Sequence, residues 1–228
     1  MFDNLLTLLG KYPIITLSHI SLLLPISFGV YRREFLNGLL VSIVLYFIIL
    51  FLEENVLLYY VLIHRRTINV QKGFYLINIF LLSELFYFAL QKNYYLQRFI
   101  IITAILCAII ILVDYKTEAS SFVSASLDKA LIIFYSIAYF NKILSESKVR
   151  NIVRHSMFWI CCGFLIYGMG TFLTSLFTDY LLDSTQVTED TFDLFWNMNE
   201  LLNILQCLLV SIGMWVSNYD RTNYLQPV

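Results

Sequence analysis

The sequence predicts an all-α, polytopic membrane bundle of seven transmembrane helices, folded as a single domain over residues 1–228. Apolar residues make up 59% of the chain and charged residues only 14%, which is more apolar surface than a soluble domain can bury. The apolar runs are about 20 residues long, the length of a helix that crosses a bilayer. Only three prolines and eight glycines interrupt the chain, so long helices fit the pattern better than the short alternating strands of a barrel.

Seven apolar runs define the predicted spans: residues 13–31, 36–63, 73–91, 96–113, 120–141, 155–177 and 192–217. The second run is too long for a simple crossing and contains Glu53, Glu54 and Asn55. It is therefore either a tilted helix that projects beyond the membrane or a shorter span with an interfacial tail. Too few residues follow Asn55 for another crossing, so the count of seven holds in both cases.

Lysine and arginine predict the orientation, because cytoplasmic loops carry an excess of both. One end of the bundle, which we call the basic end, holds Arg32, Arg33, Lys92, Arg98, Lys142, Lys148, Arg150, Arg154 and Arg221. The opposite end holds Lys11, Arg65, Arg66, Lys72 and Lys116. The basic end is predicted to be cytoplasmic. The N-terminus is then outside the cell and the C-terminus in the cytoplasm.

Ionisable side chains within the spans predict a polar pocket, because charges in hydrocarbon are costly and usually face the interior of a bundle. Lys129 needs a carboxylate partner, and Glu84 and Glu53 are both at reachable depth, whereas Asp128 points about 100° away on the same helix. Glu84 is the predicted partner. Ion pairs that only tie helices together are the alternative. The ionisable groups assigned to the pocket, which opens toward the opposite end, are His19, Glu53, Glu84, Asp128, Lys129 and Glu200.

The seventh span carries a polar stripe, since Asn199, Asn203 and Gln206 fall within about 60° of each other on a helix, with Glu200 beside them. This face is predicted to point inward. Its amides can bind a polar ligand in the same pocket or link helices by hydrogen bonds. In the sixth span, Gly163 and Gly170 are seven residues apart and predict a close packing face.

Motifs of known enzymes are missing, so no enzymatic activity, cofactor or metal is predicted. The chain lacks a Gly-rich phosphate loop, HExxH and GxSxG. The pair Glu53 and Glu54 begins the EExxxR pattern of intramembrane proteases, but Leu58 stands where the arginine is required. The last span contains no lysine for a retinal Schiff base. A net charge of −1 argues against a nucleic-acid partner.

The basic end is the predicted docking surface for a cytoplasmic partner, although anionic lipid or a purely topological role would also explain its charge. The residues assigned to partner binding are Arg98, Lys148, Arg150 and Arg154. The bilayer itself is the other partner that the composition implies, and a second copy of the chain is left open.

Two stretches carry a resemblance to a known family. They are HSMFWICCGFLIYGMGTFL at residues 155–173 and WNMNELLNILQCLLVSIG in the final span. Together with the span pattern, they resemble a family of uncharacterised seven-helix proteins from Bacteroidetes-type bacteria that are often found near sensor histidine kinases. The resemblance implies a membrane component of a signalling unit whose output lies in a separate kinase.

The function predicted from these features is that of a receptor-like sensor, or an accessory subunit of one. A ligand in the polar pocket would shift helices, and a partner at the basic end would read the shift. A small transporter or proton-coupled channel is the alternative, with Glu84, Lys129 and Glu200 on its pathway.

Overall fold

A computed structural model describes residues 13–91, 93–115, 122–146, 151–177, 180 and 188–223, which form helices and short connections without a strand. The helices are α1 (Pro13–Ser21), α2 (Leu23–Tyr31), α3 (Gly38–Leu62), α4 (Ile68–Ala89), α5 (Tyr94–Asp114), α6 (Phe122–Glu146), α7 (Ser156–Leu176) and α8 (Glu189–Asn223). Short 3-10 turns at Arg33–Phe35 and Ile152–Arg154 precede α3 and α7. Within these described ranges, seven segments are long and apolar enough to cross a membrane, with α1 and α2 sharing the first. The predicted all-α fold and its seven spans are confirmed.

The first span is interrupted at Leu22, between α1 and α2. Pro25 explains the break, because proline has no amide hydrogen to donate to the carbonyl of Ser21 four residues earlier. Leu22 keeps helical backbone angles, with φ −59° and ψ −25°. The chain therefore continues in the same sense and makes one interrupted crossing.

The second span is one continuous helix, α3, of 25 residues. At 1.5 Å per residue it is about 37 Å long, which exceeds the hydrocarbon thickness of about 30 Å. Asn37 caps its first turn by accepting a hydrogen bond from the amide of Leu40 at 2.9 Å. Glu53 and Glu54 lie inside this continuous helix.

The most extensive helix pairing in the bundle joins α7 and α8, followed by α6 and α7. Glycines allow the first approach: a Cβ on Gly163 would lie 3.1 Å from the carbonyl oxygen of Gln206, and one on Gly170 would overlap Leu202. Both predicted packing glycines thus face α8. Elsewhere, α4 packs on α3, α5 and α6, and the first span packs on α8.

Aromatic side chains fill the middle of the bundle. The ring of Phe164 lies 5.6 Å from that of Tyr46 and 6.3 Å from that of Phe86, and Phe86 lies 5.5 Å from Tyr135. Phe47 stacks on Phe164 as well, at 6.4 Å. These rings come from α3, α4, α6 and α7 and form a buried aromatic layer. The layer adjoins the polar groups described next, and Tyr46 belongs to both.

Candidate ligand site

Lys129 of α6 is bound by groups on its own helix and on α7. Its ammonium donates to Asp128 Oδ2 at 2.9 Å and to the Tyr167 hydroxyl at 3.3 Å, and it lies 4.7 Å from the centroid of the Tyr167 ring. Side-chain exposure is 13% for Lys129 and 2% for Asp128, so the pair is buried. The predicted ion pair between Lys129 and Glu84 is wrong. Although the Cβ atoms of neighbours diverge by 100°, the long lysine stem folds back far enough to reach the adjacent carboxylate.

Glu84 does not belong to the pocket either. It lies on the exposed side of α4, whereas its neighbours Ser83 and Leu85 are buried. Asn78, which faces the interior, is six residues away, about 120° around the helix. The depth of Glu84 in the span suggested a pocket residue, but depth says nothing about rotation around the helix axis.

Glu53 and Asn78 form the second polar contact of the site, between α3 and α4. The Asn78 amide donates to Glu53 Oε2 at 2.9 Å, and both side chains are buried. Tyr46 and Tyr75 line the same region, close enough to Asp128 and Lys129 to interact with them electrostatically. The sequence analysis missed both tyrosines. Helical spacing could have found them, since Tyr46 is seven residues before Glu53 and Tyr75 is three before Asn78.

We call this set the central polar cluster: Tyr46, Glu53, Tyr75, Asn78, Asp128, Lys129 and Tyr167. Two of its oxygens, Asp128 Oδ1 and Asn78 Oδ1, are buried and accept no hydrogen bond from any residue that the structure describes. Buried acceptors in proteins are normally paired, so both positions call for a donor from a water or a ligand.

Beside it lies a flanking polar cluster formed by the first span, α3 and α8. His19 Nε2 is 3.9 Å from Glu54 Oε2, and the Asn203 amide donates to Ser18 Oγ at 2.9 Å. Glu200 contacts Ser18 and interacts electrostatically with His19 and Glu54. Because Glu54 also interacts with Lys129, the two clusters adjoin.

The polar stripe of α8 divides among different neighbours. Asn199 accepts a hydrogen bond from Thr174 Oγ1 of α7 at 2.8 Å, while Asn203 bonds the first span. Both amides therefore link helices. Gln206 is 1% exposed, and neither atom of its side-chain amide has a partner within the described part of the chain.

The ionisable groups of both clusters and Tyr167 lie at a similar level. Each lies about two to three helical turns from the opposite end of the bundle. At that end the helices of His19, Asp128 and Glu200 begin, and those of Glu53 and Tyr167 end.

The site contains more acidic than basic side chains. Four carboxyl groups, on Glu53, Glu54, Asp128 and Glu200, face one lysine and one histidine. The site is therefore rich in acceptors and suits a ligand that donates hydrogen bonds or carries positive charge. Among the described residues, no group of three His, Cys, Asp or Glu is arranged to hold a metal ion.

A buried ion pair that the sequence analysis missed lies nearer the opposite end. Lys72 Nζ is 3.2 Å from Asp114 Oδ2 and also donates to the Asp114 carbonyl, while Ser124 Oγ donates to Asp114 Oδ2 at 2.9 Å. The Lys72 side chain has no exposed area. The predicted third span begins at residue 73 and leaves Lys72 in a loop, whereas α4 begins at Ile68, five residues earlier.

The basic end contains a second unforeseen network. The Tyr139 hydroxyl lies 3.0 Å from His155 Nε2, and His155 Nδ1 lies 3.0 Å from Asp220 Oδ1. Asp220 also accepts from the Ser156 amide at 3.1 Å, which caps α7 from the end of α8. Helices α6, α7 and α8 are thus joined at this end.

Of the predicted partner-binding residues, two are described and both are exposed. Arg98 lies over the ring of Tyr94, 4.1 Å from its centroid, and Arg154 lies 5.6 Å from that of Tyr219. Lys148 and Arg150 fall outside the described residues. Arg32 makes a third such contact at the basic end, 4.1 Å from the ring of Trp215.

Fold and site together define a multi-pass α-helical membrane protein whose spans enclose a buried, acceptor-rich polar cluster. Comparison of the chain with protein-family models, with curated proteins and with solved structures found no match.

Proposed function

We propose that the protein is a receptor-like sensor, or the membrane subunit of one, in a bacterial inner membrane. The observation that carries the proposal is two buried acceptors without a partner among the described residues: Asp128 Oδ1, beside Lys129, and Asn78 Oδ1, beside Glu53. A small ligand with N–H donors and a positive charge satisfies both oxygens and the excess of carboxylates. It draws α4 and α6 together as it binds.

Two helices connect the ligand site with the basic end. Lys129 and Tyr139 are both on α6, about 15 Å apart along the axis. Tyr167 on α7 is about 18 Å along the axis from His155, the residue that immediately precedes this helix. A rigid shift of either helix at the ligand therefore moves the Tyr139–His155 contact. The exposed Arg98 and Arg154 at that end present the change to a partner such as a histidine kinase.

A transporter or proton-coupled channel is the second candidate. The observation that favours it is the group His19, Glu54 and Glu200, which supplies adjacent titratable side chains at one level. A pathway would have to continue to the basic end. The aromatic layer of Tyr46, Phe86 and Phe164 lies in the way, which favours the sensor.

The proposal is tested with purified protein in nanodiscs, screened by thermal unfolding against small primary amines and guanidines. Carboxylic acids of the same size are the comparison set. We expect cationic compounds to raise the unfolding temperature of wild type and to lose that effect in Asp128→Asn, while Arg33→Gln at the exposed basic end responds like wild type.

Stabilisation by the acids alone, or an undiminished response in Asp128→Asn, would refute ligand binding at this cluster. Proteoliposomes loaded with a pH dye separate the two candidates. A sensor leaves the internal pH unchanged after a pH jump, whereas proton flux that Glu54→Gln abolishes would establish the channel instead.

A further inference from the structure

Glu84 is an ionisable side chain on the lipid-facing surface of a membrane span. It is exposed on α4, five residues before the helix ends at Ala89. The flanking residues on the same face, Ile77, Phe80 and Phe88, are 44%, 58% and 42% exposed. Helix α4 packs on α3, α5 and α6, and this face is turned away from all three. The carboxyl group therefore sits within an apolar stripe that faces hydrocarbon.

The direction of the side chain keeps Glu84 from escaping to the nearby interface. Side chains on a helix tilt toward its N-terminus. For α4 that end is Ile68, so the carboxyl of Glu84 leans from the basic end toward the middle of the bilayer. Snorkelling would need the opposite tilt.

No described residue forms an ion pair or a hydrogen bond with Glu84. Asn55, another exposed polar side chain within a span, shows the contrast, because its amide donates to the carbonyl of Phe51 on its own helix. A carboxylate in hydrocarbon is costly, and such groups normally pair with another chain or line a route. Since the Glu84 carboxyl points away from the bundle interior, a partner is the remaining explanation.

We propose that the Glu84 face docks a transmembrane helix of another protein that carries a lysine or arginine within its span. Charge complementarity defines this partner, since a buried cation at the depth of Glu84 neutralises the carboxylate and the apolar stripe packs against the rest of the helix. The contact lies in the membrane and is separate from the ligand site, so it stands or falls independently of the proposed ligand.

Among the residues that the structure describes, a second copy of the chain offers no such cation. Among the described residues, Lys129 is held by Asp128, and the exposed arginines lie at helix ends. Arg98 comes nearest to the depth of Glu84. Its side chain tilts toward the N-terminus of α5 at the membrane interface, where the guanidinium lies over the ring of Tyr94.

The test uses fluorescently labelled full-length protein in liposomes with synthetic leucine–alanine transmembrane peptides. One peptide carries a lysine as far from its end as Glu84 is from the end of α4, and its twin carries leucine there. Energy transfer measures association. We expect wild type to bind the lysine peptide roughly tenfold more tightly than its twin. Glu84→Gln should reduce this preference and Glu84→Leu should remove it, while Glu34→Gln, at the basic end, keeps it.

Equal binding of the two peptides by wild type, or a lysine preference that persists in Glu84→Leu, would overturn the proposal. Donor-labelled and acceptor-labelled copies of the protein are mixed in parallel. If they associate and Glu84→Leu abolishes that association, the face belongs to a second copy and the proposal is likewise wrong. Folding is checked in every variant by its unfolding temperature, and Glu84→Gln preserves size at a surface position.

Discussion

The ion pair at the centre of the candidate site joins two residues that are adjacent in the sequence, Asp128 and Lys129. A helical wheel separates their Cβ atoms by 100°, yet the side-chain ends meet at 2.9 Å. The wheel describes where side chains leave the backbone and not where a four-carbon stem ends. The same limitation explains why Glu84 was predicted to pair with Lys129. A helical wheel of α4 does not show which side of the helix faces the bundle until the neighbouring helices are known.

Replacing Lys129 by methionine should lower the free energy of unfolding by about 3–5 kcal/mol, because it leaves the buried carboxylate of Asp128 without its cation. The double variant Lys129→Met with Asp128→Leu should recover most of that loss. Unfolding in mixed micelles, followed by circular dichroism, measures both, with Arg33→Met as an exposed control.

If the single and double variants were equally unstable, the pair would not be acting as a coupled ion pair. A double variant that is stable and still gains stability from cationic compounds would place the ligand elsewhere.

At the level of elements, the close association of α7 with α8 depends on glycines at the contact, where any side chain would clash. A Cβ on Gly213 of α8 would stand 2.9 Å from the carbonyl oxygen of Ser156 and 2.7 Å from Ile160 Cγ1. Backbone oxygen cannot move aside as a flexible side chain does. Together with Gly163, this position sets how closely the two helices approach.

The variant Gly213→Ala should therefore destabilise the protein by about 1–3 kcal/mol through overpacking. Gly73→Ala is its matched control, because a Cβ there has no atom within 4 Å. That change should leave stability unaltered or raise it by up to about 1 kcal/mol through helix propensity. Thermal unfolding in detergent compares the two, and equal losses would contradict the packing account.

The contact of α8 with the start of α7 gives a second prediction for an element. Asp220→Ala removes the acceptor for both His155 and the Ser156 amide, so it should cost about 1–3 kcal/mol. Asp193→Ala, at an exposed position near the other end of α8, should have little effect. Hydrogen exchange of the first α7 amides locates the loss, which should appear there and not throughout the bundle.

For the whole molecule, the structure changes the comparison of exposed lysine and arginine residues at the two ends, on which the predicted orientation depends. Lys72, counted with the opposite end, is buried in an ion pair with Asp114, so it is not a free loop charge. Arg65 and Arg66 are the exposed basic residues described at that end. The excess at the basic end is correspondingly larger, and the cytoplasmic placement of that end stays a prediction with better support.

Reporter fusions check the orientation. Green fluorescent protein at the C-terminus should fluoresce and alkaline phosphatase at the same place should be inactive, because only the cytoplasm supports the first and only the periplasm the second. Insertion of either reporter between Arg65 and Arg66 should reverse the result. Active phosphatase at the C-terminus would show that the orientation is the reverse of the predicted one.

How much of the candidate site could be predicted differs from residue to residue. Glu53 and Asp128 were found because ionisable groups in an apolar run are conspicuous, and both are buried as expected. Tyr46 and Tyr75 were missed because tyrosine is common in this chain, and the sequence does not distinguish a tyrosine of the polar site from one in the apolar core. Lys72 was missed because the start of its helix is polar.

Segment length and hydropathy follow from the chain alone, so the seven spans and the ionisable groups within them could be read from the sequence. Which of these groups face the interior and meet there required the folded bundle. Rotation and adjacency of helices come from side-chain packing between them, a sum of many weak contacts that no single segment encodes. That sum turns Glu53 toward Asn78 and leaves Glu84 exposed on the outer surface of the bundle.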